Sequence, residues 1–309
     1  MNPSTWFPDQ PLDKLPLKQQ VAKLREVGED KVADRFEMTP KKVSTVSRIV
    51  RHKRWGPFQE KLWMYTSLIL GYISPASPGS GPQPIHSVNN IPADPTLRNA
   101  PITIALSSLR IAAYPGKGIH HILLHCLTRN WVAGKAEYVH FNAVSHVGKD
   151  EYTPIQGYPI FVGLNVGPEG LVFQCRTINV KNEQDVAFLN SLETGAPKGG
   201  LQLTNTAQST ITELSEEAFA LAKSLAVHNR NIVVQDFSLG FDFSTIPTRY
   251  HLAEGSYLAV QLPGDQLPIW DWKEWVYSPD SGQVMHRASA QWIIPFNYLV
   301  FSISRYNGT

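Results

Sequence analysis

The sequence predicts an α+β protein, with a small N-terminal helical bundle followed by a β-rich, sandwich-like domain that contains one or two helices. Apolar residues recur at three- and four-residue steps through residues 17–54, which is the period of amphipathic helices. From Pro101 onward, short apolar runs alternate with turn sequences, as expected for strands. Between these parts lies a stretch rich in Pro, Gly and Ser, which favours loop over regular structure. The predicted organisation is a helical domain at residues 1–74, a linker or loop at 75–100 and a β-rich domain at 101–309.

The length and charge of the chain limit what kind of protein it can form and which partners it favours. A chain of 309 residues with 42% hydrophobic and 17% charged residues can bury a sizeable core. The net charge of +2 indicates no particular partner, but the charge is unevenly distributed. Residues 1–74 hold 13 Lys and Arg against 8 Asp and Glu, and residues 75–309 hold 15 against 18. This difference in sign favours a nucleic-acid or acidic contact at the N-terminal end.

The N-terminal domain begins with three predicted helices. The first spans residues 17–27 and the second residues 29–36, each with apolar residues at helical spacing. Residues 37–38 form the predicted turn. The third helix begins at Thr39, whose hydroxyl can cap the helix N-terminus. The proline that follows Thr39 suits the first helical position.

The sequence VADRFEMTPKKVSTVSRIV resembles the helix-turn-helix motif of DNA-binding regulators, and the match covers residues 17–54. Ala33 stands where that motif has a small residue, and Val43 and Val46 occupy core positions of its recognition helix. Glu37 departs from the motif, because glycine usually occupies that turn position. If the motif is present, the residues that contact the major groove or phosphates are Lys41, Lys42, Ser44, Thr45, Arg48, Arg51, Lys53 and Arg54.

A helical bundle with one basic face is also typical of protein-docking domains. Two kinds of partner therefore stay open: DNA or RNA through residues 39–54, and a protein through the helical domain. Exposure of the basic helix would distinguish them. The oligomeric state and the ligand of the β-rich domain are left open by the sequence.

A further helix is predicted over Phe58–Ile73, with aromatic residues on one face. Its apolar part, Leu62–Ile73, is shorter than the roughly 20 residues that a membrane-spanning helix needs, so no membrane span is predicted. The N-terminal residues lack the pattern of a secretory signal. A cytoplasmic location is the resulting expectation.

The β-rich domain contains three predicted hairpins. The first pairs residues 102–113 with 119–127, the second pairs 158–166 with 171–180 through the turn GPEG, and the third spans 274–287 around SPDSG. Two helices interrupt the strands. One is predicted over Asn182–Leu192, and the other over Ser215–His228 with Ser215 as its N-terminal cap.

The densest group of reactive side chains is a histidine cluster between His120 and His146. Imidazole and thiolate groups bind zinc, so a metal-dependent hydrolase is one hypothesis. In a strand, however, His121 and His125 lie on one face and His120 and Cys126 on the other. The four side chains then cannot converge on one ion, so neither a metal nor a cofactor is predicted.

Two further features have competing interpretations. Trp270, Trp272 and Trp275 could form an exposed platform for a sugar or peptide, or could pack within a sheet. Cys126 and Cys175 have no metal-binding spacing and are interpreted as buried thiols. No catalytic residue is predicted, because the serine and cysteine signatures of hydrolases are missing from the sequence.

The leading hypothesis from the sequence is a non-enzymatic, nucleic-acid-associated regulator whose β-rich domain senses a ligand or mediates oligomerisation. The alternative is a protein-interaction or toxin-like effector module, controlled by partner binding or by proteolysis at residues 75–100. The metal-dependent hydrolase is a weaker alternative.

Overall fold

The computed structural model of the chain describes residues 11–38, 67–75, 80–148, 152–153, 157–195, 199–204, 206–244, 246, 249–262 and 264–308. Four α-helices lie in these ranges: α1 (Leu17–Glu26), α2 (Asp30–Met38), α3 (Glu183–Gly195) and α4 (Gln208–Val227). About 45% of the described residues are in strands, which confirms the mixed α+β class. Among the described helices, none combines the length and apolarity needed to cross a membrane.

The described strands, in chain order, are β1 (Leu68–Ile73), β2 (Gln83–Pro84), β3 (His86–Ser87), β4 (Pro101–Arg110), β5 (His120–Val132), β6 (Lys135–Val147), β7 (Tyr152–Thr153), β8 (Tyr158–Asn165), β9 (Gly170–Val180), β10 (Leu201–Gln202), β11 (Ile232–Asp242), β12 (Tyr250–His251), β13 (Gly255–Gln261), β14 (Trp275–Ser278), β15 (Gln283–His286), β16 (Ser289–Ile293) and β17 (Asn297–Arg305). An eight-stranded sheet has the order β10-β8-β4-β17-β13-β1-β3, with β7 paired to β4. A five-stranded sheet has the order β12-β11-β9-β5-β6, and a four-stranded sheet the order β16-β15-β14-β2.

One side of the five-stranded sheet packs against one side of the eight-stranded sheet. The ring centroids of Phe173 on β9 and Phe301 on β17 are 4.8 Å apart, and those of Phe241 on β11 and Tyr257 on β13 are 4.7 Å apart. All four rings are at most 2% exposed. Because full burial of one such apolar side chain contributes about 1.5–3 kcal/mol, this shared core is a large stabilising element.

The other side of each large sheet is also covered. Helices α3 and α4 lie on the five-stranded sheet, where Leu189 and Leu225 join a buried cluster with Leu123 and Ile178. The four-stranded sheet lies on the eight-stranded sheet. Its contact is a second cluster that includes Trp272, Trp275, Tyr277, Val284, Val260 and Tyr298. Strands buried on both sides explain why the sequence shows continuous apolar runs rather than clean alternation.

The two N-terminal helices pack on this body. Leu24 of α1 and Ala33 of α2 are fully buried and belong to the same core cluster as Phe173. Gly28, between the helices, has a φ of +76°, a conformation that glycine adopts without steric cost. Helix α2 continues through residues 37 and 38, where the sequence analysis placed a turn. That turn prediction is wrong. The predicted third helix lies outside the described residues.

The prediction of a helix over Phe58–Ile73 is wrong for the C-terminal part of that range. Residues 68–73 form β1, which pairs with β13 on one side and with β3 on the other. Leu70 contributes to the core between the two large sheets, and Ile73 contributes to the core on the opposite side. A short apolar run buried on both sides has no period of its own, so its sequence does not separate strand from helix. Residues 58–66 lie outside the described residues.

Residues 80–100, within the predicted linker, are packed against the sheets. Strand β2 pairs with β14, and β3 pairs with β1. Ile85, Val88 and Leu97 are at most 2% exposed. Apolar side chains at irregular spacing hold this segment in place, although its Pro and Gly content resembles that of a free linker.

Two of the three predicted hairpins are wrong. Strands β4 and β5 lie in different sheets, and so do β8 and β9. Between β8 and β9 a single bridge joins Gly167 to Gly170, after which each strand pairs with a distant partner. A turn sequence establishes that the chain reverses direction there. It does not determine which strands become neighbours, because long-range burial decides that.

The third hairpin is confirmed, since β14 and β15 pair through the tight turn SPDSG. Both predicted helices of the β-rich domain are also present, as α3 and α4. Helix α4 begins at Gln208 rather than at Ser215, which lies inside it and is 4% exposed. Ile211, only 1% exposed, extends the buried stripe of the helix one turn before Ser215. The predicted cap at Ser215 is therefore wrong.

The shared core gives a stability prediction. We expect Phe173→Ala to lower the free energy of unfolding by about 3–5 kcal/mol, because it leaves a cavity between the two large sheets. Urea or guanidinium unfolding followed by tryptophan fluorescence measures this change. Val227→Ala, at a position 52% exposed on α4, is the control and should change stability by less than about 0.5 kcal/mol. Equal effects of the two variants would contradict the assignment of the core.

Candidate functional site

The eight residues predicted to contact nucleic acid all lie outside the described residues: Lys41, Lys42, Ser44, Thr45, Arg48, Arg51, Lys53 and Arg54. The structure does describe the helix that leads into them. Met38, the last residue of α2, is 83% exposed, so the described chain ends at the protein surface immediately before the basic stretch.

The helix pair that leads to this point is attached to the body through several polar contacts as well as through the core. The ammonium of Lys23 donates to the carbonyl oxygens of His228 and Asn231, at 3.3 and 3.4 Å. The Arg230 N–H donates to the Glu26 carboxylate at 3.2 Å. Within the helix pair, Arg25 of α1 forms an ion pair of 2.8 Å with Glu37 of α2. Helix α2 is therefore fixed relative to the body up to Met38.

The histidine cluster separates onto two sides of the five-stranded sheet, as the strand interpretation predicts. His121 and His125 lie on the side that carries α4. There His121 stands across from His146 on β6, with ring centroids 4.5 Å apart. His120 points to the opposite side, where its ring packs against Tyr114. Cys126 is in the shared core on that same side.

On the α4 side, His125 and His140 form a hydrogen-bonded row with Asn142. The Asn142 side-chain amide donates to the Ala218 carbonyl of α4 at 2.8 Å, so its oxygen faces Nδ1 of His125 at 2.7 Å. Nδ1 of His125 must therefore carry a proton, which leaves Nε2 as an acceptor. Nδ1–H of His140 donates to that nitrogen at 3.2 Å. In the neutral His140 ring, Nε2 then carries a lone pair.

Burial keeps both rings neutral. Desolvation, together with the nearby His140 ring, lowers the pKa of His125 to about 3. Desolvation lowers the pKa of His140 to about 4. Since the usual value is near 6.5, neither imidazole is protonated at neutral pH.

His140 lies at a cleft between β6 and the N-terminal half of α4. The cleft volume is about 450 Å³. Its apolar wall includes Ile211 and Phe219, and the Phe219 ring is 4.9 Å from that of His140. Ser215 accepts a hydrogen bond from the His140 N–H at 2.9 Å, which fixes α4 against the strand.

The charged residues that line this cleft are both acidic, Glu137 and Glu216. The Glu137 carboxylate accepts a hydrogen bond from the side-chain amide of Gln208. Tyr138 and Thr212 add hydroxyl groups. The arrangement suits a small ligand that has an apolar body and hydrogen-bond donors or a positive charge.

No protein family, curated protein or solved structure matches this chain.

Two other predictions about reactive groups can be compared with the structure. Among the described residues there is no group of three or more His, Cys, Asp or Glu that could hold a metal ion, so the geometry gives no support to the metal-dependent hydrolase. Cys126 and Cys175 are free, buried thiols, as predicted, and their sulfur atoms are 3.9 Å apart. Burial and the neighbouring Cys126 raise the pKa of the Cys175 thiol well above its usual value.

The tryptophans predicted as an alternative platform are mostly buried. Trp272 and Trp275 are 6% and 3% exposed and belong to the core beneath the four-stranded sheet. Trp270 is partly buried and stacks on Trp275, with ring centroids 5.5 Å apart. Sheet packing is therefore the correct interpretation for Trp272 and Trp275. A fourth tryptophan on this sheet, Trp292, is 44% exposed.

Sequence reasoning identified the histidine cluster but missed the residues on α4 that contact His140. Ser215 and Phe219 are at least 75 residues from His140 along the chain, and their contacts with it depend on where α4 crosses β6. His140 was included in the cluster but was not paired with His125. A register for β5 and β6 would have shown the pairing, because both side chains lie on the same side of adjacent strands.

The two neutral histidines predict a pH-dependent stability. Their pKa values are lower in the folded state than in the unfolded state, so the unfolded chain binds more protons and stability falls as pH decreases from about 6.5 towards 4. Between pH 7 and pH 5, each such histidine should reduce the free energy of unfolding by about 2 kcal/mol. In His125→Leu the loss over this interval should be smaller by about that amount.

Denaturant unfolding at the two pH values measures these differences. His86→Gln, which changes an exposed histidine on β3, is the control and should keep the wild-type difference. Because only the change between pH values is compared, a general loss of stability in His125→Leu does not affect the conclusion. An undiminished pH effect in His125→Leu would show that His125 is not buried in a neutral form.

Proposed function

We propose that this protein is a nucleic-acid-associated regulator, with residues 39–54 as the nucleic-acid contact and the cleft beside His140 as the ligand-sensing site. The observation that carries the first part is electrostatic. Residues 39–54 contain six Lys and Arg and no Asp or Glu. They follow directly from the exposed end of α2, so the charge is attached where a large polyanion can approach.

The net charge of the rest of the chain favours binding of a polyanion at this one surface. Outside residues 39–54 there are 22 Lys and Arg against 26 Asp and Glu, a net charge of −4. A polyanion is therefore attracted by the basic stretch and repelled, on average, by the remainder. Binding of this kind depends on release of counterions from the nucleic acid, and so on salt.

The cleft beside His140 supports the sensing part of the proposal. Glu137 and Glu216 give its lining negative charge, and Ile211 and Phe219 give it an apolar wall. An apolar amine satisfies both, with its ring or chain against Ile211 and Phe219. We therefore assign the sensed ligand to the class of small organic amines.

The effector alternative receives less support. In its proteolytic form it requires that residues 75–100 be cut to release an apolar segment, but Ile85, Val88 and Leu97 in that range are buried. The apolar segment itself includes β1, which lies between β13 and β3 in the eight-stranded sheet. Proteolysis is favoured at exposed loop tips with few hydrogen bonds, and residues 80–100 do not have that character.

Nucleic-acid binding is tested by fluorescence anisotropy with random duplex DNA and RNA at several salt concentrations. We expect log K to fall linearly with log[salt], with a slope of up to about −5 if all six cations contact phosphates. Lys42→Ala and Arg48→Ala should each weaken binding and reduce the magnitude of the slope by about one.

The control is Lys223→Ala, which removes an exposed cation from α4 and should leave affinity and slope unchanged. If the intact protein binds neither duplex in a salt-sensitive way, the proposal is wrong. Equal losses in Lys223→Ala and Arg48→Ala would show that charge is read without regard to position, and would contradict the assignment to residues 39–54.

The sensing site is tested with two small probes of similar shape and opposite charge, phenethylammonium and 3-phenylpropanoate. For a ligand of this size we expect a dissociation constant on the order of 1 mM for the cation and weaker binding of the anion. Thr212→Trp should fill the cleft and abolish binding of the cation, whereas Thr212→Ala should retain it. Isothermal calorimetry or thermal shift measures this. Equal binding of both probes, or binding unaffected by Thr212→Trp, would overturn the assignment.

A further inference from the structure

The C-terminal end of α4 holds a second group of reactive side chains, far along the helix from the cleft. Ser224 lies in the last turn of α4, and His228 follows directly after the end of the helix. The Ser224 hydroxyl is 3.4 Å from Nε2 of His228. On the other side of the ring, Nδ1 of His228 is 3.0 Å from both carboxylate oxygens of Asp185 on α3.

Asp185 is held in place from several directions. It is 8% exposed, and the side-chain amide of Asn231 donates to its Oδ2 at 2.6 Å. Its own N–H donates to the Asn182 side-chain oxygen at 3.3 Å, within the first turn of α3. Asn231 is itself fully buried and donates to the Leu225 carbonyl at 2.9 Å. The carboxylate therefore has a fixed position at the junction of α3 and α4.

This fixed carboxylate determines the state of the histidine. An ionised carboxylate can only accept hydrogen bonds, so Nδ1 of His228 carries the proton. In the neutral ring, Nε2 has a lone pair, and the Ser224 hydroxyl lies 3.4 Å from it. Because Ser224 is exposed and the His228 side chain is 46% exposed, both can be reached from solvent.

We propose that Ser224, His228 and Asp185 form a serine nucleophile, a general base and an orienting carboxylate, and that they hydrolyse activated carboxylic esters. An ordered serine, imidazole and carboxylate is the arrangement that activates a hydroxyl for acyl transfer. This activity is independent of nucleic-acid binding and of the cleft. It is also a reaction that sequence motifs did not predict, because its residues match no local hydrolase signature.

Besides the ester, water is the only reactant that this hydrolysis needs. The Ser224 oxygen forms a bond to the ester carbonyl carbon while its proton passes to Nε2 of His228. The bond from that carbon to the leaving oxygen then breaks, and His228 returns the proton to the leaving alcohol. Water hydrolyses the resulting ester on Ser224 by the same proton route, which releases the carboxylic acid and restores the serine.

Two charges develop in this reaction, a positive one on the imidazolium and a negative one on the oxyanion. The C-terminal end of α4 stabilises them to different extents. The imidazolium is stabilised by Asp185 and by the negative end of the α4 dipole. The oxyanion receives little help, because the last turn of a helix presents carbonyl oxygens rather than N–H groups. Reaction is therefore expected only with esters that have a good leaving group, and not with amides.

The experiment uses the full chain and two probes, 4-nitrophenyl acetate and a fluorophosphonate that labels activated serines. We expect hydrolysis of the ester, and covalent labelling that mass spectrometry assigns to Ser224. Ser224→Ala should abolish the labelling, and His228→Gln should reduce its rate by roughly 100-fold. Ser209→Ala is the matched control, since it removes an exposed serine from the first turn of the same helix.

Circular dichroism and thermal unfolding of each variant establish that it is folded. Labelling at another site, labelling of His228→Gln at the wild-type rate, or equal ester hydrolysis by wild type and Ser224→Ala would each overturn the proposal. A purely structural role for the row would appear as a lower unfolding temperature in His228→Gln, with no labelling of Ser224 in the wild type.

Discussion

Burial between the two large sheets is the interaction on which the rest of this structure depends. Phe173, Phe241, Tyr257 and Phe301 come from four strands that are far apart in sequence, and their rings meet in one cluster. Once these strands face each other, each large sheet has one side left to cover. The helices take one of these sides and the four-stranded sheet takes the other. Even the N-terminal helices are attached by burial in the same cluster, through Leu24 and Ala33.

This layering explains why both candidate sites are on α4. The outer side of the five-stranded sheet is apolar in its middle, around Leu123 and Ile178, and polar towards β6, where His125 and His140 lie. A helix of 20 residues crosses both regions. Its N-terminal half therefore borders the histidine row, and its C-terminal end meets α3 at Asp185. The polar row can be buried because Asn142 and the two imidazoles form a chain of hydrogen bonds, each side chain to the next.

The sequence predicted what depends on local patterns. The class, the helices α3 and α4, the hairpin at SPDSG and the separation of His120 from His121 all follow from period or turn chemistry. The predictions from sequence failed where contacts between residues far apart along the chain determine the structure. The run at residues 68–73 is apolar throughout and becomes a strand because β13 and β3 flank it. The chain reverses after β8 and after β4, yet the next strand joins the other sheet. Site residues such as Asp185 and Ser224 are 39 positions apart, so no spacing rule brings them together.

The attachment of α1 and α2 shows how these forces differ in size. Lys23, Glu26 and Arg230 make hydrogen bonds and ion pairs near the end of α4, but the groups are partly exposed. Pairs of this kind contribute about 0–1 kcal/mol each, because water competes for them. Leu24 and Ala33, which are fully buried, contribute through area removed from water and are insensitive to salt. The exposed end of α2 therefore stays in place at the ionic strengths that weaken contacts to a polyanion. Under the proposed function, salt weakens the contacts of residues 39–54 with nucleic acid and leaves α2 in place.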